Sequence, residues 1–205
     1  MCQIVIGLLG DQPGVGKDTA AAYLTARHGF RQASFAARLY QEVAQAYGVP
    51  ESELSRRDLK EVPQNRFAAR HCRNPEFRAV LASLGKLPDE PLSPRFGLQV
   101  WGTEYRRSQS EDYWLRPVRD LVERNPGRWV ITDPRHLNEF DWVESLGFLG
   151  KIDRPALPPL DPGKPVHASD LAARERPVAF RLVNEENALP RLYAGLDEVL
   201  GKLLD

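Results

Sequence analysis

The chain has 205 residues, enough for one α/β domain with a smaller insertion. Lys plus Arg and Asp plus Glu are both 28, so the formal net charge is zero, which argues against a chain-wide electrostatic grip on nucleic acid or on a membrane surface. With 42 % hydrophobic residues, a mean hydropathy of −0.45 and neither a signal peptide nor a long apolar segment, the expectation is a soluble cytoplasmic protein. Cys2 and Cys72 lack metal-ligand spacing and suit a reducing compartment.

Residues 4–9 form an apolar run that reads as a central parallel strand. Gly10-Asp11-Gln12-Pro13-Gly14-Val15-Gly16-Lys17-Asp18-Thr19 follows, and Ala20-Ala21-Ala22-Tyr23-Leu24 continues as a helix over 18–28. Strand, glycine-rich loop, Gly-Lys and helix form the pattern of a phosphate-binding P-loop. Glycines let backbone N–H groups converge, the helix adds its positive end, and Lys17 supplies a mobile charge for the outer phosphates. The strict pattern wants glycine where this chain has Asp11. Gly10 lies one residue further back, so the loop is one residue longer, and Asp18 replaces the usual hydroxyl residue.

Further on, 33–35 is a short strand candidate and 37–47 a helix stopped by Gly48 and Pro50. The arginine-dense stretch 51–73 reads as short helices or mobile loop, 75–84 as a helix, and 86–94, with three prolines, as a loop. Helices are expected over 96–101 and 113–123, a core strand over 129–132, a helix over 137–146 and a strand over 148–152. A proline-rich loop over 154–165, a strand over 180–183 and an amphipathic helix over 188–204 complete the chain. Strands alternating with helices imply a parallel sheet covered on both faces, and 50–125 is expected to be a mostly helical part of a single 1–205 domain.

Val130-Ile131-Thr132-Asp133 is an apolar strand ending in a carboxylate. Beside a P-loop such an aspartate can hold magnesium or orient the attacking group; alternatively it is a helix cap. Arg135 and Asn138 follow, with Arg135 placed to reach a transferring phosphoryl group; alternatively Asn138 and Glu139 are solvated at a surface helix start. Arg95 and Gln99 stand four apart on one helical face, and both make paired hydrogen bonds, one to phosphate and the other to a base edge. Trp101, Tyr105 and Trp114 either stack on a base or fill a core, and Arg106-Arg107 either clamps phosphate or is a solvated pair.

On these residues the chain resembles the bacteriophage deoxynucleoside monophosphate kinases. The resemblance is carried, in order, by Gly16-Lys17-Asp18-Thr19, Phe35-Ala36, Lys60-Glu61, Arg95 with Leu98-Gln99, Gly102-Thr103-Glu104, Arg107, Trp114, Asp133 with Arg135, Asn138-Glu139, Arg154-Pro155 and His167-Ala168-Ser169-Asp170. It departs from the family in the longer loop, in Asp170 where glutamate is usual, and in a longer, arginine-rich 60–95 segment. The resemblance implies a P-loop kinase three-layer sandwich with a parallel sheet and a helical acceptor-binding insertion. It implies transfer of the γ-phosphoryl of ATP to a deoxynucleoside 5′-monophosphate, with Mg2+ as cofactor.

The roles implied are these. Gly10, Gly14, Val15, Gly16, Lys17, Asp18, Thr19 and Arg154 hold ATP; Asp18 and Asp133 serve the metal; Lys17, Arg107, Asp133 and Arg135 are catalytic. Phe35, Arg38, Lys60, Arg95, Gln99, Thr103, Glu104, Arg106, Trp114 and Asn138 bind the acceptor. His167 is as well read as an exposed loop residue. The partner expected is a small nucleotide, with no membrane or nucleic acid, and a homodimer is compatible because related kinases are often dimers. The rival readings are a P-loop kinase of another phosphorylated acceptor, as in the animal-type phosphomevalonate kinases, a kinase of a modified base within DNA, and a nucleotide-binding module without turnover.

Overall fold

The computed structural model describes residues 3–158 and 168–204. Cys2 and His167 lie outside them, as does most of the proline-rich run. The chain divides into two compact units: one holds the described residues up to Ser34 and from Val118 onward, the other Phe35–Pro117.

The first unit is built on a five-stranded, wholly parallel sheet, ordered β2-β3-β1-β4-β5. The strands are β1 (Ile4–Leu9), β2 (Arg31–Ala33), β3 (Arg128–Ile131), β4 (Gly147–Asp153) and β5 (Phe180–Val183). β1 is central, which is why it is apolar at nearly every position. Its alternating side chains serve two faces. Ile6 and Leu8 enter a core with Ala20, Ala21 and Leu24 of α1 (Lys17–His28) and Leu192, Leu196 and Leu200 of α9 (Leu189–Leu204). On the other face α7 (Leu137–Leu146) packs against Gly7, where an added Cβ would meet Val143 at 3.1 Å. Each fully buried leucine contributes about 2 kcal/mol of apolar burial. The sheet is thus covered by helices on both faces, as the alternation of elements predicts.

β2 covers 31–33 rather than 33–35. It is an edge strand paired only with β3, and instead of apolar side chains it offers Arg31, whose guanidinium lies 4.2 Å from the Trp129 ring centroid and donates to the Pro126 carbonyl at 2.9 Å. A helix not foreseen in the sequence, α8 (Ala168–Glu175), follows the proline-rich run. Among the described residues, no helix is long and apolar enough to cross a membrane.

The second unit is helical: α2 (Ala36–Tyr47), α3 (Glu51–Ser55), two single 3-10 turns, α4 (Pro75–Ser83) and α5 (Pro94–Val100), after which the chain enters α6 (Leu115–Arg124). The 86–94 loop ends earlier than expected because Pro94 is the first residue of α5. Its missing N–H would have no helical partner there, and Ser93 caps the helix by accepting from the Phe96 amide at 3.2 Å. α5 runs directly into a π-helical stretch, Trp101–Arg107. The wider turn brings Trp101 and Tyr105 together inside, with ring centroids 5.1 Å apart, and Trp101 packs on Phe77 at 4.6 Å. Cys72 is buried and unpaired by any disulfide.

Candidate active site

In the first unit the site begins where β1 ends. Gly14 (φ 86°) and Gly16 (φ 109°) adopt left-handed conformations, and α1 starts at Lys17 directly after Gly16, an N-cap residue that makes no side-chain cap hydrogen bond. Such an end favours an anion through its orphan N–H groups and its dipole. Lys17 and Thr19 are half-buried at the helix start and Asp18 is exposed. Gly10 has a packing reason: a Cβ there would lie 2.5 Å from Val15, whose side chain is sunk into the core.

The loop is fastened by Asn184, Lys151 and Arg174, which the sequence did not single out, and by Arg154, which it did. Asn184, buried just past β5, donates from Nδ2 to the Val15 carbonyl at 2.8 Å and sits where a Gly16 side chain would go. The Asp11 carboxylate, at the departure from the strict pattern, is 2.5 Å from Nζ of Lys151, a lysine buried on β4. Arg174 of α8 donates to the Asp11 carbonyl at 3.3 Å. The extra loop residue is therefore anchored, with its charge balanced. Arg154 donates from Nη1 to the Gly14 carbonyl at 3.2 Å.

Asp133 lies two residues beyond β3, the strand beside β1. Ser34 donates to its Oδ2 at 2.7 Å. It is not the cap of α7: that helix starts at Leu137, His136 is its N-cap, and the buried Glu139 carboxylate accepts from the amides of Arg135 (2.8 Å) and His136 (3.2 Å). The alternative in which Glu139 is solvated is corrected for the same reason. Arg135 is exposed and Asn138 half-buried at this helix start. Among the described residues no group of three or more His, Cys, Asp or Glu side chains is placed to hold a metal ion. The Asp133 carboxylate with the Ser34 hydroxyl beside it offers oxygen donors of the kind a hard cation arriving with phosphate oxygens takes.

In the second unit two clusters gather the proposed acceptor residues. Lys60 bonds the Tyr40 hydroxyl, with Nζ 5.0 Å from that ring's centroid; its carbonyl accepts from the Arg95 amide at 2.9 Å, and Arg95 Nε is 2.9 Å from Glu61. Gln99 is exposed one turn further along α5. The second cluster centres on Glu42. Its carboxylate accepts from Arg38 Nε (3.0 Å), Tyr113 Oη (2.6 Å), Trp101 Nε1 (2.9 Å) and Arg106 Nε (2.9 Å). Burial alone pushes this carboxyl up, but the four donors outweigh it and hold it below the usual glutamate value.

Other predicted residues are placed differently. Phe35 and Trp114 are buried, and Trp114 donates to the Gly102 carbonyl at 3.1 Å, so its ring packs inside this unit. Arg107 reaches the Glu111 carbonyl at 2.7 Å, Thr103 is half-buried and Glu104 exposed.

No protein-family model matches the chain. A protein of Acanthamoeba polyphaga mimivirus, provisionally named a deoxynucleotide monophosphate kinase, is 31 % identical over 159 residues, which span 75 % of this chain and 76 % of that protein. Among solved structures, TT1252 from Thermus thermophilus aligns over 99 % of both chains with a TM-score of 0.50 at 16 % identity. Shikimate kinase from Aquifex aeolicus aligns over 98 % of this chain and 99 % of its own, with a TM-score of 0.49 at 13 % identity.

Proposed function

The chain belongs to the family of the mimiviral deoxynucleotide monophosphate kinase, and from that membership and the P-loop we propose that it transfers the γ-phosphoryl group of ATP to a deoxynucleoside 5′-monophosphate, giving the diphosphate. The observation that carries the reading is the end of β1: two left-handed glycines, a helix N-terminus directly behind the second of them, Lys17 at its first turn, and a carboxylate, Asp133, beyond the neighbouring strand. Phosphoryl transfer asks a protein for positioning and charge neutralisation more than for covalent participation, and this is the equipment those residues supply.

In this reading the loop amides and Lys17 hold the donor phosphates and compensate the charge that develops as the bond to the leaving oxygen lengthens. Asp133, oriented by Ser34, and Asp18 or Thr19 would hold Mg2+, which neutralises charge between the donor's outer phosphates when bound. Arg135 and Arg107 are assigned to the transferring group. Arg38, Lys60, Arg95, Gln99 and Arg106, with Asn138, are assigned to the acceptor. The zero net charge favours a free nucleotide over a base held within DNA.

The test is ADP release from ATP with a panel of deoxy- and ribonucleoside monophosphates, with Lys17→Ala as the control. The reading expects turnover with at least one deoxynucleoside monophosphate and a loss on the order of a thousandfold in the variant, with its unfolding midpoint unchanged. Absence of turnover with every member of the panel would leave a nucleotide-binding module without this activity. More than a tenth of wild-type rate in Lys17→Ala would remove the P-loop from the reaction.

A further inference from the structure

All acceptor positions on Glu42 are used. A carboxylate offers about four lone-pair directions, and Oε1 takes Arg38 Nε and Tyr113 Oη while Oε2 takes Trp101 Nε1 and Arg106 Nε. Trp101 is itself fixed in the core at 2 % exposure, so this carboxylate is held from the inside. Both arginines meet it through Nε alone, not through the paired Nη fork that usually grips a carboxylate. Their guanidinium carbons lie 5.2 Å (Arg38) and 5.0 Å (Arg106) from the centroid of the same ring, Tyr113. Two cations sharing one aromatic ring repel each other, and the carboxylate between their Nε atoms offsets that repulsion. One negative and two positive charges leave a surplus of one positive charge. The Arg38 side chain is 51 % exposed; Arg106 is 20 % exposed, its guanidinium carbon lies 4.3 Å from the Tyr105 ring centroid, and its Nη1 makes a long 3.4 Å contact to Gln109.

We propose that Glu42 is a positioning residue that sets Arg38 and Arg106 as a two-guanidinium clamp for the phosphate of the acceptor nucleotide. The inference rests on the kinase reading above and adds to it the residue that gives the clamp its geometry. A phosphate monoester dianion matches the clamp in charge and offers oxygens for two forks, whereas a nucleoside without its phosphate brings nothing for the forks to hold. The clamp belongs wholly to the helical unit, so acceptor recognition by phosphate is separable from donor binding at the loop.

The experiment uses the full chain, with steady-state kinetics in ATP and in a deoxynucleoside monophosphate, and equilibrium titration of that nucleotide without ATP. Glu42→Gln keeps the size of the side chain but turns one acceptor oxygen into a donor group facing a guanidinium. It is expected to raise the acceptor KM and Kd roughly ten- to hundredfold while the ATP KM stays within about twofold, because charge-assisted contacts to one ligand are lost and none to the other. Glu42→Asp is expected to recover part of the affinity, and Arg38→Ala added to Glu42→Gln to change little further, since both act through one contact. A folded Glu42→Gln with wild-type acceptor KM, or one that moves ATP and acceptor equally, overturns the proposal. Should Glu42→Gln not fold, Tyr113→Phe takes its place: it removes one donor to the same carboxylate and no charge. A several-fold rise in acceptor KM is then expected, and an unchanged value overturns the proposal. If the wild type phosphorylates no nucleotide, the kinase reading fails by itself, and the clamp is read with inorganic phosphate. In a Lys17→Ala background phosphate is expected to raise the unfolding midpoint, and adding Glu42→Gln to remove that rise; equal rises in the two proteins overturn the clamp.

Discussion

Asn184 and Gly16 exclude each other's alternatives: the Asn184 amide lies 2.4 Å from the point where a Gly16 Cβ would stand, and it is fixed there by its bond to the Val15 carbonyl. A substitution at Gly16 therefore meets a steric obstacle as well as a left-handed φ of 109°. Gly16→Ala is expected to destabilise the protein by about 1–3 kcal/mol and to weaken ATP. Adding Asn184→Ala should relieve the clash but not the backbone strain, so the double variant should recover only part of the loss in a denaturant titration. Full recovery would show that φ carries no penalty here.

Asp133 and Glu139 stand six residues apart and should separate cleanly. Asp133→Asn is expected to leave the unfolding midpoint near wild type and to lower turnover far more than nucleotide binding, with a loss that changes with magnesium concentration or on replacement by manganese. Glu139→Gln removes the charge that receives two amides and should destabilise by about 1–2 kcal/mol without any metal dependence. Near-normal turnover of Asp133→Asn at ordinary magnesium would leave the metal to Asp18 or Thr19.

Arg95 is half-buried and Gln99 exposed, so their removal opens no cavity. Arg95→Ala and Gln99→Ala are expected to raise the acceptor KM about tenfold each, more than the ATP KM, with unchanged stability. A raised ATP requirement with unchanged acceptor saturation would reverse the assignment of the two nucleotides.

Glu42 also predicts an acid dependence. Its carboxyl titrates below the ordinary glutamate value of 4.5 in the folded protein, because four donors outweigh burial. A lowered folded value means that the unfolded chain binds the proton more readily. The resulting stabilisation is full above the ordinary value and is lost as pH falls through the folded one. Urea unfolding between pH 6 and pH 3 should show a steeper loss for wild type than for Glu42→Gln. Parallel slopes would mean that the contacts to Glu42 do not favour its charged form.

Much of the first unit is legible because its signals are local. The apolar run of β1, the glycines at 14 and 16 and the Gly-Lys pair are short-range patterns whose geometry is set by backbone sterics. Asp133 is recognisable as a carboxylate at a strand end, yet what excludes it as the cap of α7 is non-local to it: Glu139 receives the amides of Arg135 and His136. Pro94 misleads because proline both breaks helices and starts them, and Ser93 decides which. The π-helical turn at Trp101–Arg107 has no sequence period of its own; it coincides with packing of Trp101 on Phe77, a residue 24 positions earlier. Glu42 carries no sequence signal for a similar reason. On α2 it is one acidic residue among helical neighbours, and its meaning comes from Trp101, Arg106 and Tyr113, which lie 59, 64 and 71 positions away.

The fastenings of the loop near the N-terminus all come from late in the chain. Arg154, Arg174 and Asn184 reach Gly14, Asp11 and Val15 across sequence separations of 140, 163 and 169 residues. During synthesis β1 and its glycines emerge first, but the contacts that hold them arrive last, once β4, α8 and the end of β5 have been made. Loops closed over such distances form slowly. A ribosome-bound chain lacking its final strands would thus carry the phosphate-binding sequence without its held shape, and nucleotide binding would switch on only as the C-terminal third docks.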